Sequence, residues 1–173
     1  ANSQGVLTRP GLEPYLEKGY YDASILLEYT SSDFAIGRFA LQACNDEPVC
    51  NWYTQRAMNW KNLFNKETDW LQSRNEDGSW KRYDADWRES TYKNYFWMVP
   101  YDLQGLIDSI GGKEAAEKRL DEMFRRLDAS YGDEWFASGN EPSFQIPWIY
   151  NWAGAPYKAQ QVIRRILNEQ YSS

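Results

Sequence analysis

A chain of 173 residues suffices for one ordinary domain around a single core. Its net charge of −6, with the basic residues scattered, excludes a nucleic-acid backbone as partner; its apolar runs fall far short of the ~20 residues of a membrane span. Aromatic residues make up 17% of the chain, with Trp 9 and Tyr 13, so most rings must fill the core, yet many must share their surroundings with polar groups.

Residues 1–22 carry Pro10, Pro14 and several turn formers without a helical period, and read as an irregular lead-in. They also lack a charged start followed by an apolar stretch, so any signal peptide has been removed or lies upstream. From Ala23 to Ala43, Leu26, Tyr29, Ile36 and Ala40 fall on one helical face, with Asp33 between them. Cys44 and Cys50 bracket a short polar loop containing Pro48, which either closes into a disulfide or holds two reduced thiols; a metal site lacks the His or further Cys to complete it. The disulfide, and with it an oxidising compartment, is the expectation.

A second helix follows through Tyr53, Ala57, Trp60 and Phe64, ending near Asn65. The next stretch has no helical period and contains Asp77-Gly78, which predicts a loop or short hairpin. Helix resumes after Glu89, is divided by Pro100 and stops at Gly111-Gly112. Leu120, Met123, Phe124 and Leu127 then form an apolar stripe between charged faces. From Ser130 to Ser143 the chain is irregular, with Gly132, Gly139 and Pro142, as a functional loop is. An aromatic segment from Trp148 to Trp152 leads to a last amphipathic helix in which Val162, Ile163, Ile166 and Leu167 share a face. Five or six helices without a convincing sheet place the chain in the all-α class, as a bundle, a superhelix or a toroid of helical hairpins.

The chain contains no His, so imidazole base chemistry is excluded and carboxylates remain. Glu89, in W-R-E-S-T-Y, and Glu141, in S-G-N-E-P-S, stand in aromatic, non-helical surroundings. A carboxyl enclosed by rings is held protonated more readily, as a general acid requires. A structural role fits them equally well: Glu89 precedes a helix start, where negative charge is favoured.

The string E-S-T-Y-K-N-Y-F-W-M-V-P-Y-D-L-Q-G-L-I resembles a signature of glycoside hydrolase family 92, and G-N-E-P-S-F-Q-I-P-W-I-Y-N-W-A-G resembles the family's second signature. L-E-Y-T-S-S-D-F-A-I, R-A-M-N-W-K-N-L-F-N and R-N-E-D-G-S-W are also similar to family segments, in the family's order, so the match runs from about Glu17 to the C-terminus. The resemblance implies part of an (α/α)₆ toroid and an inverting, Ca²⁺-assisted exo-α-mannosidase acting on terminal α-mannosides of glycans. Glu89 matches the general acid. Asn140 and Glu141 match residues that shape the sugar and calcium site, and Asn94 stands at a further substrate and calcium position, so Asn94 and Glu141 are the expected metal ligands. Tyr101 and the pair Phe144-Gln145 stand where the family has His, and Lys93 where it has Trp, which alters polar contacts to the sugar.

The resemblance also places residues 23–173 in the helical catalytic domain and leaves two family elements outside these residues, an N-terminal β-sandwich and a segment carrying the general base. The expected partners are therefore an α-mannoside glycan and the remaining segments of the same parent enzyme, and the expected location is secreted or periplasmic. A non-catalytic, carbohydrate-binding helical fragment is the alternative.

Overall fold

The computed structural model describes residues 9–127, 129, 130 and 132–171. The first eight residues of the expected lead-in therefore lie outside the described residues. The described chain is mostly helical and divides into two compact units rather than one core, Ala1–Phe64 with Gln72–Asp86 and Asn65–Leu71 with Trp87–Ser173. None of its helices is long and apolar enough to cross a membrane.

The first unit begins with a helix that the sequence pattern hides. α1, Leu12–Lys18, lies between Gly11 and Gly19, both left-handed at φ 67° and 72°. Pro14 falls in its first turn, where its missing N–H costs nothing, and a single buried anchor, Tyr15, is too little to produce a visible period. The lead-in is thus helical in its second half.

α2, Ala23–Cys44, begins at Asp22, whose carboxylate accepts from the Ile25 N–H, and ends at Asn45 in the left-handed conformation. α3, Glu47–Ala57, starts inside the segment read as a loop, because Asp46 caps it through the Val49 N–H at 3.1 Å and Pro48 occupies its first turn. α2 and α3 pack as a helical hairpin whose backbones approach closely at Gly37, where an added Cβ would lie 3.0 Å from Thr54 Oγ1 and 3.1 Å from the Cys50 carbonyl.

This geometry corrects the disulfide expectation: Cys44 and Cys50 are free thiols. Cys44 is exposed at the end of α2, whereas helix formation from Glu47 turns Cys50 inward, with Sγ 3.8 Å from Thr54 Oγ1.

The same unit buries a carboxylate. Asp33 Oδ2 accepts a hydrogen bond from Tyr15 at 2.7 Å and pairs with Arg56 at 3.0 Å, while Oδ1 lies 3.7 Å from Arg9. Burial, reinforced by the bond to Asp33, pushes the Tyr15 hydroxyl well above its usual range. The expected hairpin is also present: Asp77 accepts from the Ser79 N–H at 2.9 Å, Gly78 takes φ 87°, and Arg74 bridges to Trp80 with its guanidinium 3.6 Å from the ring centroid.

In the second unit, α4 (Tyr92–Tyr95) is a single turn, followed by the buried Phe96, Trp97 and Val99. The chain turns at Pro100, and α5 (Leu103–Ser109) starts from Asp102, whose carboxylate accepts from the Gly105 N–H at 3.2 Å. A side chain at Gly105 would stand 2.5 Å from that carboxylate. α6, Lys113–Met123, turns Leu120 and Met123 of the expected stripe inward, and Phe124 and Leu127, just beyond the helix, are buried as well.

A 3₁₀ segment, Ile146–Asn151, packs against α7, Pro156–Gln170. Lys158 of α7 pairs with Glu117 and Asp121 at 2.6 Å each, and Tyr150 donates to Asp121 at 2.9 Å. The expected apolar face of α7 is only partly covered. Val162 is buried, but Leu167 is 57% exposed beside Trp148, also 57% exposed.

Candidate active site

Both signature segments lie in the second unit, and local chain geometry brings them together. Glu89 precedes α4 in a run of bends that ends at Thr91, which is extended (φ −104°, ψ 166°). Glu141 opens the 3₁₀ turn Glu141–Ser143, with Pro142 setting its first dihedrals. Glu89 and Glu141 line the same open cavity of about 460 Å³, together with Arg88, Gly139 and Asn140. Both carboxylates are exposed, so Glu89 is not enclosed by rings as its sequence neighbours suggest. The nearby ring contact is Trp87 on Tyr95, centroids 5.4 Å apart, which anchors the segment just before Glu89.

Asn140 is 2% exposed, and its Nδ2 donates to the Glu89 carbonyl at 3.0 Å. That bond fixes the amide orientation and leaves Oδ1 buried without a hydrogen-bond partner among the described residues. Asn140 also lines the cavity that holds the two carboxylates, and an amide oxygen is chemically suited to a cation or a hydroxyl donor.

Asn94 is placed differently from its expected role at the sugar and calcium. It is fully buried and absent from the cavity wall; Nδ2 donates to the Trp135 carbonyl at 2.9 Å, and Oδ1 accepts from Ser143 Oγ at 3.2 Å. Its amide is engaged at both ends by the protein. Gln145, one of the departures from the family pattern, donates to the Trp97 carbonyl at 3.0 Å, while its neighbour Phe144 is 55% exposed. Lys93 pairs with Glu134 at 2.7 Å. Sequence reasoning missed the contributions of Ser143 and Gln145, although both lie inside the second signature.

A larger cavity of about 730 Å³ is lined by Trp70, Lys93, Arg119 and Glu134 among others, and holds neither Glu89 nor Glu141. In it Arg119 lies 3.9 Å from the centroid of Trp70 and donates to the Asp69 carbonyl at 2.8 Å, and burial lowers its guanidinium to about 10. Its other charges are largely paired, Lys93 with Glu134 and Arg125 with Glu122, so the smaller cavity is the better candidate for carboxylate chemistry.

Solved structures and a curated sequence are similar to this chain. An inverting mannosidase of family 92 from Bacteroides thetaiotaomicron superimposes with a TM-score of 0.85 at 27% identity, covering 99% of this chain and 27% of its own. A family 92 α-mannosidase of the same organism gives a TM-score of 0.83 at 31% identity, over 95% of this chain and 24% of its own. An uncharacterized secreted glycosidase of Arthroderma benhamiae is 27% identical over 82% of this chain and 21% of its own length. The chain thus spans about a quarter of the length of these relatives. The model of the glycosyl hydrolase family 92 catalytic domain matches residues 1–173, and with the two signature segments facing one cavity the chain belongs to that family.

Proposed function

We propose that this chain carries the acid side of the sugar site of a secreted, inverting exo-α-mannosidase that removes terminal α-linked mannose from glycans. The observation that carries the reading is the cavity shared by Glu89 and Glu141, with Asn140 among its lining residues. It is supported by the relatives described as an inverting mannosidase and as an α-mannosidase in complex with mannoimidazole. Glu89 is the proton donor to the leaving glycosidic oxygen; its exposure on the bend before α4 leaves it room to reach that oxygen. In inverting hydrolysis a second carboxylate activates water from the opposite face, ~6.5–9.5 Å from the acid, and that base belongs to another part of the complete enzyme. The complete catalytic domain is, on this reading, an (α/α)₆ toroid.

Asn140 Oδ1 and the Glu141 carboxylate are hard oxygen donors of the kind Ca²⁺ prefers. Among the described residues no three His, Cys, Asp or Glu converge on a metal position, so sugar hydroxyls and water would complete the shell. Bound there, Ca²⁺ would hold neighbouring hydroxyls of the sugar and favour a distorted ring. Asn94 is left out of this shell because both ends of its amide are used within the protein.

The test is Glu89→Gln in a complete enzyme containing this chain, which keeps the side-chain shape and removes the proton. Turnover of an α-mannosyl disaccharide is expected to fall ~10²–10⁴-fold, and turnover of an aryl mannoside, whose leaving group needs less protonation, to fall less. An unchanged rate on the disaccharide would contradict the assignment.

A further inference from the structure

Across the second unit, side chains of the 140–145 segment meet the 89–97 segment in register. Asn140 Nδ2 donates to the Glu89 carbonyl at 3.0 Å, Ser143 Oγ to Asn94 Oδ1 at 3.2 Å, and Gln145 Nε2 to the Trp97 carbonyl at 3.0 Å. Asn94 extends the row by donating to the Trp135 carbonyl at 2.9 Å, and Thr91 Oγ1 donates to the Asp133 carbonyl at 3.4 Å. Ser143 and Asn94 are both 0% exposed, so no water competes for the bond between them, while the Asn140 rung beside it borders the cavity. Neither segment is held by regular secondary structure of any length: α4 is four residues long and the Glu141 turn three. Side-chain bonds therefore supply what a helix or sheet ladder would otherwise supply.

We propose that this row is a positioning clamp, with the Ser143–Asn94 pair at its centre, and that it sets the placement of Glu89 relative to Glu141. The clamp works through the backbone. Asn140 grips the carbonyl of Glu89 itself, and Ser143 closes the turn that Glu141 opens, so loosening the central rung frees both carboxylates together while removing neither. A bond between two fully buried groups is costly to leave half-made, because Asn94 Oδ1 would lose the Ser143 donor in a place that water does not reach. A misplacement of about 1 Å at a catalytic group costs on the order of 10²-fold in rate, so the expected signature is a loss in kcat rather than in binding.

The proposal rests on the mannosidase reading for its consequence in catalysis but not for the clamp itself, and two readouts separate them. In Ser143→Ala, backbone amide exchange followed by mass spectrometry is expected to rise about tenfold at residues 89–95 and 139–143 together, with the far-ultraviolet circular dichroism of the parent retained. Exchange that rises in one segment alone, or in neither, overturns the clamp whatever the enzyme does. In the complete enzyme the same variant is expected to lose about 10²-fold in kcat with KM within about threefold, and Ser143→Thr, which restores the donor, to recover most of it. An unchanged kcat in Ser143→Ala overturns the positioning role. If Glu89→Gln also leaves turnover unchanged, it is the mannosidase assignment that has failed, and the exchange result still decides the clamp. Should Ser143→Ala not fold, Gln145→Leu at the outer rung makes the same test, with paired loosening of residues 95–97 and 143–145 expected and loosening of one side alone as the contrary result.

Discussion

Replacing Asp33 by Asn is the sharpest probe of the first unit. The carboxylate is fully buried, Arg56 has 14% of its side chain exposed and Arg9 30%. Asn preserves shape and still accepts the Tyr15 hydroxyl, but it leaves the Arg56 cation without its counter-charge, and breaking a buried pair from one side costs ~3–5 kcal/mol. Two features pull the expected value to the low end, about 3 kcal/mol: Arg9 is partly solvated, and Arg56 keeps its seat 4.4 Å from the Trp52 ring centroid. Urea denaturation followed by circular dichroism, extrapolated linearly, measures the loss. Removing both members in Asp33→Asn with Arg56→Met should recover more than half of it, since the uncompensated charge is gone. A cost below about 1 kcal/mol for Asp33→Asn, or a double variant as unstable as the single one, would refute this account of the buried cluster.

The raised Tyr15 pKa has a consequence at high pH. Burial first, then the bond to Asp33, lifts the folded-state value above the unfolded value near 10, so the folded state holds its proton longer. The stability this provides is present below about pH 10 and lost as pH rises towards the folded value; denaturation at pH 8 to 11 should show a steeper alkaline loss for the parent than for Tyr15→Phe. Equal slopes would remove Tyr15 from the explanation. For the cysteines, a thiol reagent should label exposed Cys44 rapidly in the native protein and Cys50, 8% exposed, only slowly or after denaturation. A native protein with no titratable thiol would restore the disulfide.

Periodicity located α2 and α6 well because each places several large apolar residues on one face, as at Leu26 and Tyr29 or Leu120 and Met123. It failed at α1, where seven residues bury one ring between two glycines, and at the start of α3, where Pro48 reads as a loop residue although a helix accepts it in its first turn. The two signature segments pointed to Glu89, Asn140 and Glu141, which line one cavity. Asn94 shows where such reading ends. An amide in a signature looks the same in sequence whether it faces a ligand or the interior, and only its complete burial with two protein partners distinguishes them. The row formed by Asn140, Ser143 and Gln145 is invisible for the same reason, since its acceptors lie about fifty residues away along the chain. The partly covered face of α7 is a third case: its apolar period is clear, but the period does not say how much of the stripe the fold covers.

The central claim is that Glu89 and Glu141 serve one sugar. A crystal structure of a complete enzyme containing this chain, with mannoimidazole and Ca²⁺ bound, measures this directly. The account predicts one sugar ring in the cavity shared by the two residues, with a Glu89 carboxylate oxygen within about 3 Å of the ring-nitrogen position that mimics the glycosidic oxygen, and with Asn140 Oδ1 and Glu141 directed at the cation or the ring hydroxyls. A ring bound elsewhere, or one that engages Glu141 while Glu89 points away beyond the reach of a single water, would contradict it.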